Sequence, residues 1–183
     1  TNDNLFLGQI NLATNTGAAA DVVDSHIYLR NTHTTTTLNN VTAYGNLTVN
    51  AVGDLTVLGT IQAYSEDGTG TDITRTINLN FGLNDTVATV GATFTSTGAT
   101  FSGNPAGADL IDLNITGGVG HNTLNINGTT SPAVTIFSDL NNVTFTGAAG
   151  DDSFSVSSNN VSMQTQFTSV NTVTFNGNTG DDD

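Results

Sequence analysis

The sequence predicts an all-β chain wound as a parallel β-helix, a β-solenoid with coils of about 30 residues. Three observations predict it. Thr, Asn and Gly supply 34, 24 and 20 of the 183 residues, similar blocks recur at an offset of 30, and within each block apolar and polar residues alternate. Threonine fits a pleated strand, while Gly and Asn fit tight turns that need positive φ. Helix formers are nearly missing: Lys is absent and Glu66 is the one glutamate.

The repeat is clearest in residues 107–183, read as a regular solenoid. Residues 137–152, FSDLNNVTFTGAAGDD, match residues 167–182, FTSVNTVTFNGNTGDD; residues 113–127, LNITGGVGHNTLNIN, lie over 143–157 without a gap. The first strand of each copy buries alternate residues: Leu113/Ile115, Val143/Phe145, Val173/Phe175. Ile115, Phe145 and Phe175 are therefore expected in one inward stack. A Gly-rich turn follows each (GGVGHN, GAAGDD, GNTGDD), and a second strand comes next, Leu124/Ile126 or Phe154/Val156. A third strand matches Ala133/Thr135/Phe137 to Met163/Thr165/Phe167, which turns Val134 and Ile136 outward. Coils stack at about 4.8 Å, and each buried Val or Phe contributes roughly 1.5–3 kcal/mol. One coil alone has nothing to bury its residues against.

Residues 1–106 read as a less regular part of what is expected to be one continuous domain. Leu47/Val49 and Leu55/Val57 alternate between short Gly/Asn turns. Residues 65–72 (SEDGTGTD) are the best candidate for an excursion from the coil, and residues 32–37 (THTTTT) for another loop. GATFTST followed by GATFSG, within 91–103, is a short tandem echo.

Sixteen acids, fifteen of them Asp, face Arg30 and Arg75, for a formal charge of −14. Such a surface repels phosphate backbones and anionic lipid, so nucleic acid is not an expected partner. No apolar run is long enough to span a bilayer, and no signal peptide is recognisable, so export would need signals outside this segment. Cysteine is absent, which rules out disulfide and thiolate metal sites.

Residues 45–63, GNLTVNAVGDLTVLGTIQA, resemble the repetitive regions of filamentous-haemagglutinin-like and autotransporter-type bacterial adhesins, which are right-handed β-helices. The resemblance implies a structural or adhesive segment of a large extracellular or cell-surface protein. Its implied partners are neighbouring copies or segments of the same protein and surface glycans or other cell-surface ligands. Residues 117–125 (GGVGHNTLN) and 147–155 (GAAGDDSFS) also resemble the calcium-binding nonapeptide of RTX proteins, G-G-x-G-x-D-x-U-x. Asn122 stands in place of the family's Asp, and Ala148 and Asn178 in place of its second Gly. These turns recur once per 30 residues rather than in immediate succession.

If coils stack in register, Asp151, Asp152, Asp181, Asp182 and Asp183 come together. Stacked carboxylates repel unless a cation such as calcium lies among them; the alternative is solvated Asp chosen for turn conformation. His121 falls one coil from Asp151, a pairing similar to active sites of pectinase-like β-helices, whose carboxylates act as acid and base. That enzyme reading is the least favoured: the His turn precedes the GDD turn, no cationic substrate motif lies nearby, and no catalytic residue is expected. Seven N-x-[ST] sequons occur, as many as abundant Thr and Ser give by chance. A flat outward Thr array able to bind ice is not expected, because no T-x-T recurs at the 30-residue offset. Finally, residues 2–7 (NDNLFL) read like residues 151–156 (DDSFSV), so the N-terminal stretch has the phase that would follow the C-terminal GNTGDDD. Head-to-tail stacking is the expectation that follows.

Overall fold

The computed structural model describes residues 4–11, 26–65, 74–83, 91–105, 109–126, 133–156 and 163–183. All regular structure there is β, in one sheet of 14 strands whose pairings are all parallel. The strands are β1 Asn4–Asn11, β2 Ile27–Asn31, β3 Thr35–Ala43, β4 Leu47–Ala51, β5 Asp54–Val57, β6 Thr60–Ser65 and β7 Thr74–Phe81. They continue as β8 Thr93–Ser96, β9 Thr100–Pro105, β10 Leu110–Gly117, β11 Thr123–Ile126, β12 Ala133–Ala149, β13 Ser153–Val156 and β14 Met163–Thr179.

No strand pairs with its immediate neighbour in sequence. Pairing instead sorts the strands into three ladders. The first ladder runs β2–β4–β7–β10 to the C-terminal half of β12 and on to β14. The second joins the N-terminal half of β3 to β5, β8, β11 and β13. The third joins the C-terminal half of β3 to β6, β9 and the N-terminal halves of β12 and β14. The chain visits the ladders in order and returns one rung further on, an arrangement that is solenoid-like.

Alternation within each strand decides what is buried. In β4 Leu47, Val49 and Ala51 are inside; in β7 Ile77, Leu79 and Phe81; in β10 Ile111, Leu113 and Ile115. Register then places like over like. Ile115 pairs with Phe145 and Phe145 with Phe175, whose rings stack at 5.1 Å and 9°. The expected inward stack is present. Eight of the nine phenylalanines are linked by ring contacts, running 81–94–101–137, then from Phe137 to Phe145 and Phe167, and from Phe145 to Phe154 and Phe175. Aromatic pairs add to area burial when tilted or offset. The facing of the third strand also holds: Thr135 and Phe137 are buried, Val134 is exposed.

Three expectations need correction. The 30-residue interval holds from Phe94 to Leu124 to Phe154, but Ile27 pairs with Leu47 only 20 residues on, and Ile61 with Phe101, 40 on. A ladder requires only that inward residues return to the same face, so the path between faces is free to vary in length. The Thr-rich stretch 32–37 is not a loop throughout, since Thr35, Thr36 and Thr37 open β3 and Thr36 is buried. The third strand is not separate from the next coil: β12 and β14 are continuous, bending at Asp139 and Ser169, whose φ values are 54° and 55°. In the tandem echo β8 and β9 are successive faces of one coil, with Phe94 and Phe101 in contact at 6.5 Å. Residues 66–72 of the expected excursion lie outside the described residues. Hydrogen-bonded pairing of β7 with β10 and β9 with β12 runs across position 106.

Candidate functional site

The chemistry-bearing residues gather at the Gly-rich corner between the first and second ladders. There Asp151 and Asp152 diverge. Asp152 turns inward and is buried, whereas Asp151 points to solvent. Asp181 and Asp182 take the corresponding ladder positions, and Asp183 continues the rung by donating its N–H to the Asp152 carbonyl at 3.0 Å. The five acids therefore come together in one corner, where Asp152 and Asp182 belong to an inner column and Asp151 and Asp181 to an outer one.

The inner column is Asn122, Asp152 and Asp182. Each side chain accepts from the backbone of the rung before: Ala92 N–H to Asn122 Oδ1 at 3.3 Å, Asn122 N–H to Asp152 Oδ1 at 2.8 Å, Asp152 N–H to Asp182 Oδ1 at 3.0 Å. Asp152 Oδ2 also accepts from Ala148 N–H at 3.1 Å, and Asn122 Nδ2 donates to the Gly118 and Gly120 carbonyls. The inward turn needs a glycine beneath it, because a Cβ at Gly147 or Gly177 would collide with the Asp152 or Asp182 carboxylate. Gly150 and Gly180, with φ of 139° and 150°, then carry the backbone through a region other residues avoid. Burial pushes the Asp152 carboxyl above its ordinary range and the charge of Asp182 adds to it; the Asn122 hydrogen bonds and His121 pull the other way without cancelling it.

The outer column is His121, Asp151 and Asp181. His121 Nδ1 lies 3.5 Å from Asp151 Oδ2, and Asp181 N–H donates to Asp151 Oδ1 at 3.0 Å. Among the described residues no group of three or more His, Asp or Glu is arranged as a metal site.

Sequence reasoning missed a second polar corner, between the third and first ladders. Asp112 Oδ1 accepts from Asn141 Nδ2 at 2.8 Å and from Asn142 N–H at 3.2 Å, and Asn171 Nδ2 donates to Asn141 at 3.1 Å. The signal was present, because Asp139/Ser169 and Asn141/Asn171 are 30 apart. It went unread because these residues lie inside what looked like strand. Also missed was Asp54, whose Oδ1 accepts from Thr93 N–H at 2.8 Å across 39 residues.

No family model, no curated protein and no solved structure matches this chain.

Proposed function

We propose that this chain is a right-handed parallel β-helix serving as a structural and adhesive segment of a large extracellular or cell-surface repetitive protein. The observation that carries this reading is the inner Asn/Asp column, whose side chains are committed to backbone donors one rung away. Such groups hold register; they are not poised for proton transfer. The carboxylate of Asp152 already has two backbone donors, which speaks against an acid/base role beside Asp151.

The partner that fits the C-terminal coil is another coil, from a neighbouring segment or another copy. Its ladder residues Phe175, Phe167 and Val156 are 52%, 39% and 42% exposed, whereas the preceding Phe145 and Phe137 are covered by their successors. A cavity of about 250 Å³ opens beside Phe145, Phe154 and Phe175. Apolar positions of this kind are buried by stacking. Sedimentation velocity tests this: we expect concentration-dependent linear growth that Phe175→Asp abolishes. A strictly monomeric species at high concentration, with and without calcium, removes stacking between copies. Incubation with acidic and neutral polysaccharides tests the non-catalytic role, and new reducing ends lost in Asp151→Asn would overturn it.

A calcium-binding role of RTX type is the second reading. It is favoured by the stacking of Asp152 over Asp182 and Asp151 over Asp181, like charges that a hard cation would relieve. Calcium titration followed by circular dichroism decides it. A chain already folded without calcium, and no more heat-stable with it, rejects that reading.

A further inference from the structure

The outward surface of the second ladder forms a two-column array. Over five rungs its first column is Thr35, Asp54, Thr93, Thr123 and Ser153 and its second is Thr37, Thr56, Thr95, Asn125 and Ser155; β1 pairs at the edge, Asn4 with Thr35 and Phe6 with Thr37. Eight of the ten carry a hydroxyl. The sequence interval between rungs is 19, then 39, then 30, then 30 (Thr37–Thr56–Thr95–Asn125–Ser155), so no search at one fixed offset finds the array. No T-x-T recurs at the 30-residue offset; the unequal intervals are what bring Thr37, Thr56 and Thr95 into one column.

The array is held rigidly from behind. The residues between its columns are Thr36, Leu55, Phe94 and Leu124, all buried, and Phe154, which is half-buried. Rungs repeat at about 4.8 Å and positions i and i+2 at about 6.6–6.8 Å, which sets a regular two-dimensional grid. Threonine is stiff at χ1, so each presents its methyl and hydroxyl in a narrow range of directions.

The first ladder provides the contrast. Its outward amides bond one another across rungs, Asn80 to Asn50 at 2.8 Å and Asn114 to Asn78 at 2.9 Å. On the second ladder Thr37, Thr56 and Thr95 have no side-chain hydrogen bond among the described residues. They are half-buried and reach solvent. The one carboxylate, Asp54, is drawn sideways onto Thr93 N–H.

We propose that this face binds ice. A single hydroxyl gains little by exchanging one water for another, so useful affinity requires many hydroxyls presented together on a fixed grid to a partner that is itself a grid of donors and acceptors. The ice surface is such a partner. None of the ten residues is aromatic or cationic, and Phe6 stands one rung beyond them, which disfavours sugar stacking and the Trp-, Tyr- and Arg-centred contacts of protein interfaces over the five rungs.

The test is partition of the whole chain into slowly growing ice, together with thermal hysteresis. Wild type is expected to be enriched in the ice fraction. Thr56→Tyr and Thr95→Tyr, each protruding from the grid, are expected to lower enrichment at least fivefold. Thr144→Tyr, outward on the first ladder, is the control and should stay within twofold. Circular dichroism confirms that each variant is folded, and either second-ladder substitution suffices if the other fails to fold. Three results overturn the proposal. They are exclusion of wild type from ice, equal loss in all three variants, and retention on a neutral polysaccharide that the two second-ladder substitutions abolish while ice partition is unchanged.

Discussion

The carboxylate of Asp152 accepts the backbone N–H of Asn122, exactly one 30-residue repeat earlier, at 2.8 Å, and lies directly over Gly147. The absence of a side chain at Gly147 and the inward turn of Asp152 are thus one structural decision made by two residues. Gly147→Ala is expected to destabilise by about 1–3 kcal/mol, the scale of overpacking a tight site. Combined with Asp152→Gly the losses should not add, because the carboxylate and the Cβ that the added methyl would meet are then gone. A double-mutant cycle in urea measures the coupling, expected at about 0.5–3 kcal/mol; additivity within error would separate the two residues.

Phe145 and Phe175 occupy the same ladder position, yet Phe145 is 2% exposed and Phe175 52%. Chemistry is equal, so burial alone should set the difference. Phe145→Ala is expected to cost about 3–5 kcal/mol, and Phe175→Ala far less in the isolated chain. Equal losses in chemical denaturation would contradict the stack.

Ser96 faces inward between Val57 and Ile126 in the second ladder, and its buried hydroxyl has no hydrogen-bond partner among the described residues. An unmet buried hydroxyl costs roughly 1–3 kcal/mol. Ser96→Ala removes it at little loss of volume, and is expected to raise the thermal midpoint by about 2–4 °C per kcal/mol recovered. A lowered midpoint would mean that the hydroxyl is satisfied.

These elements differ in how far the sequence disclosed them. The stack of Ile115, Phe145 and Phe175 was legible because period-two alternation and a constant 30-residue interval coincide there. Leu47/Val49 and Leu55/Val57 were legible as strands, but not their partners: Leu55 pairs with Phe94 across 39 residues, and alternation says which face a residue takes without saying which rung it joins. The acid corner was legible as a cluster and illegible in its geometry. Adjacent Asp151 and Asp152 read alike in sequence, and only the glycine beneath Asp152 distinguishes the one that turns inward. The hydroxyl grid was hidden for the same reason as the early rungs, because unequal coil lengths bring Thr37, Thr56 and Thr95 into register.

The raised pKa of Asp152 gives the inner column a pH dependence of definite sign. Burial disfavours the charged carboxylate and Asp182 repels it, so the folded chain holds this proton more tightly than the unfolded chain does. Below the ordinary Asp value, about 3.9, both states are protonated and the group's stabilising contribution is fully present. As pH rises through the raised folded value that contribution is lost, and above it the loss is constant. Asp152→Asn removes the charge and keeps the shape. Asn122 already shows how an amide is accommodated in this column, accepting from Ala92 N–H while donating to the Gly118 and Gly120 carbonyls. The amide Nδ2 replaces the oxygen that accepts from Ala148 N–H, which costs that hydrogen bond, so the expectation concerns the trend: the stability gap, variant minus wild type, moves in the variant's favour as pH rises through the Asp152 titration and moves back as pH falls. Thermal midpoints of both proteins across pH 3–8 measure the gap directly. A gap that is constant with pH, or that moves in the variant's favour on acidification, would show that Asp152 titrates at or below its ordinary value and that the inner column stores no charge strain.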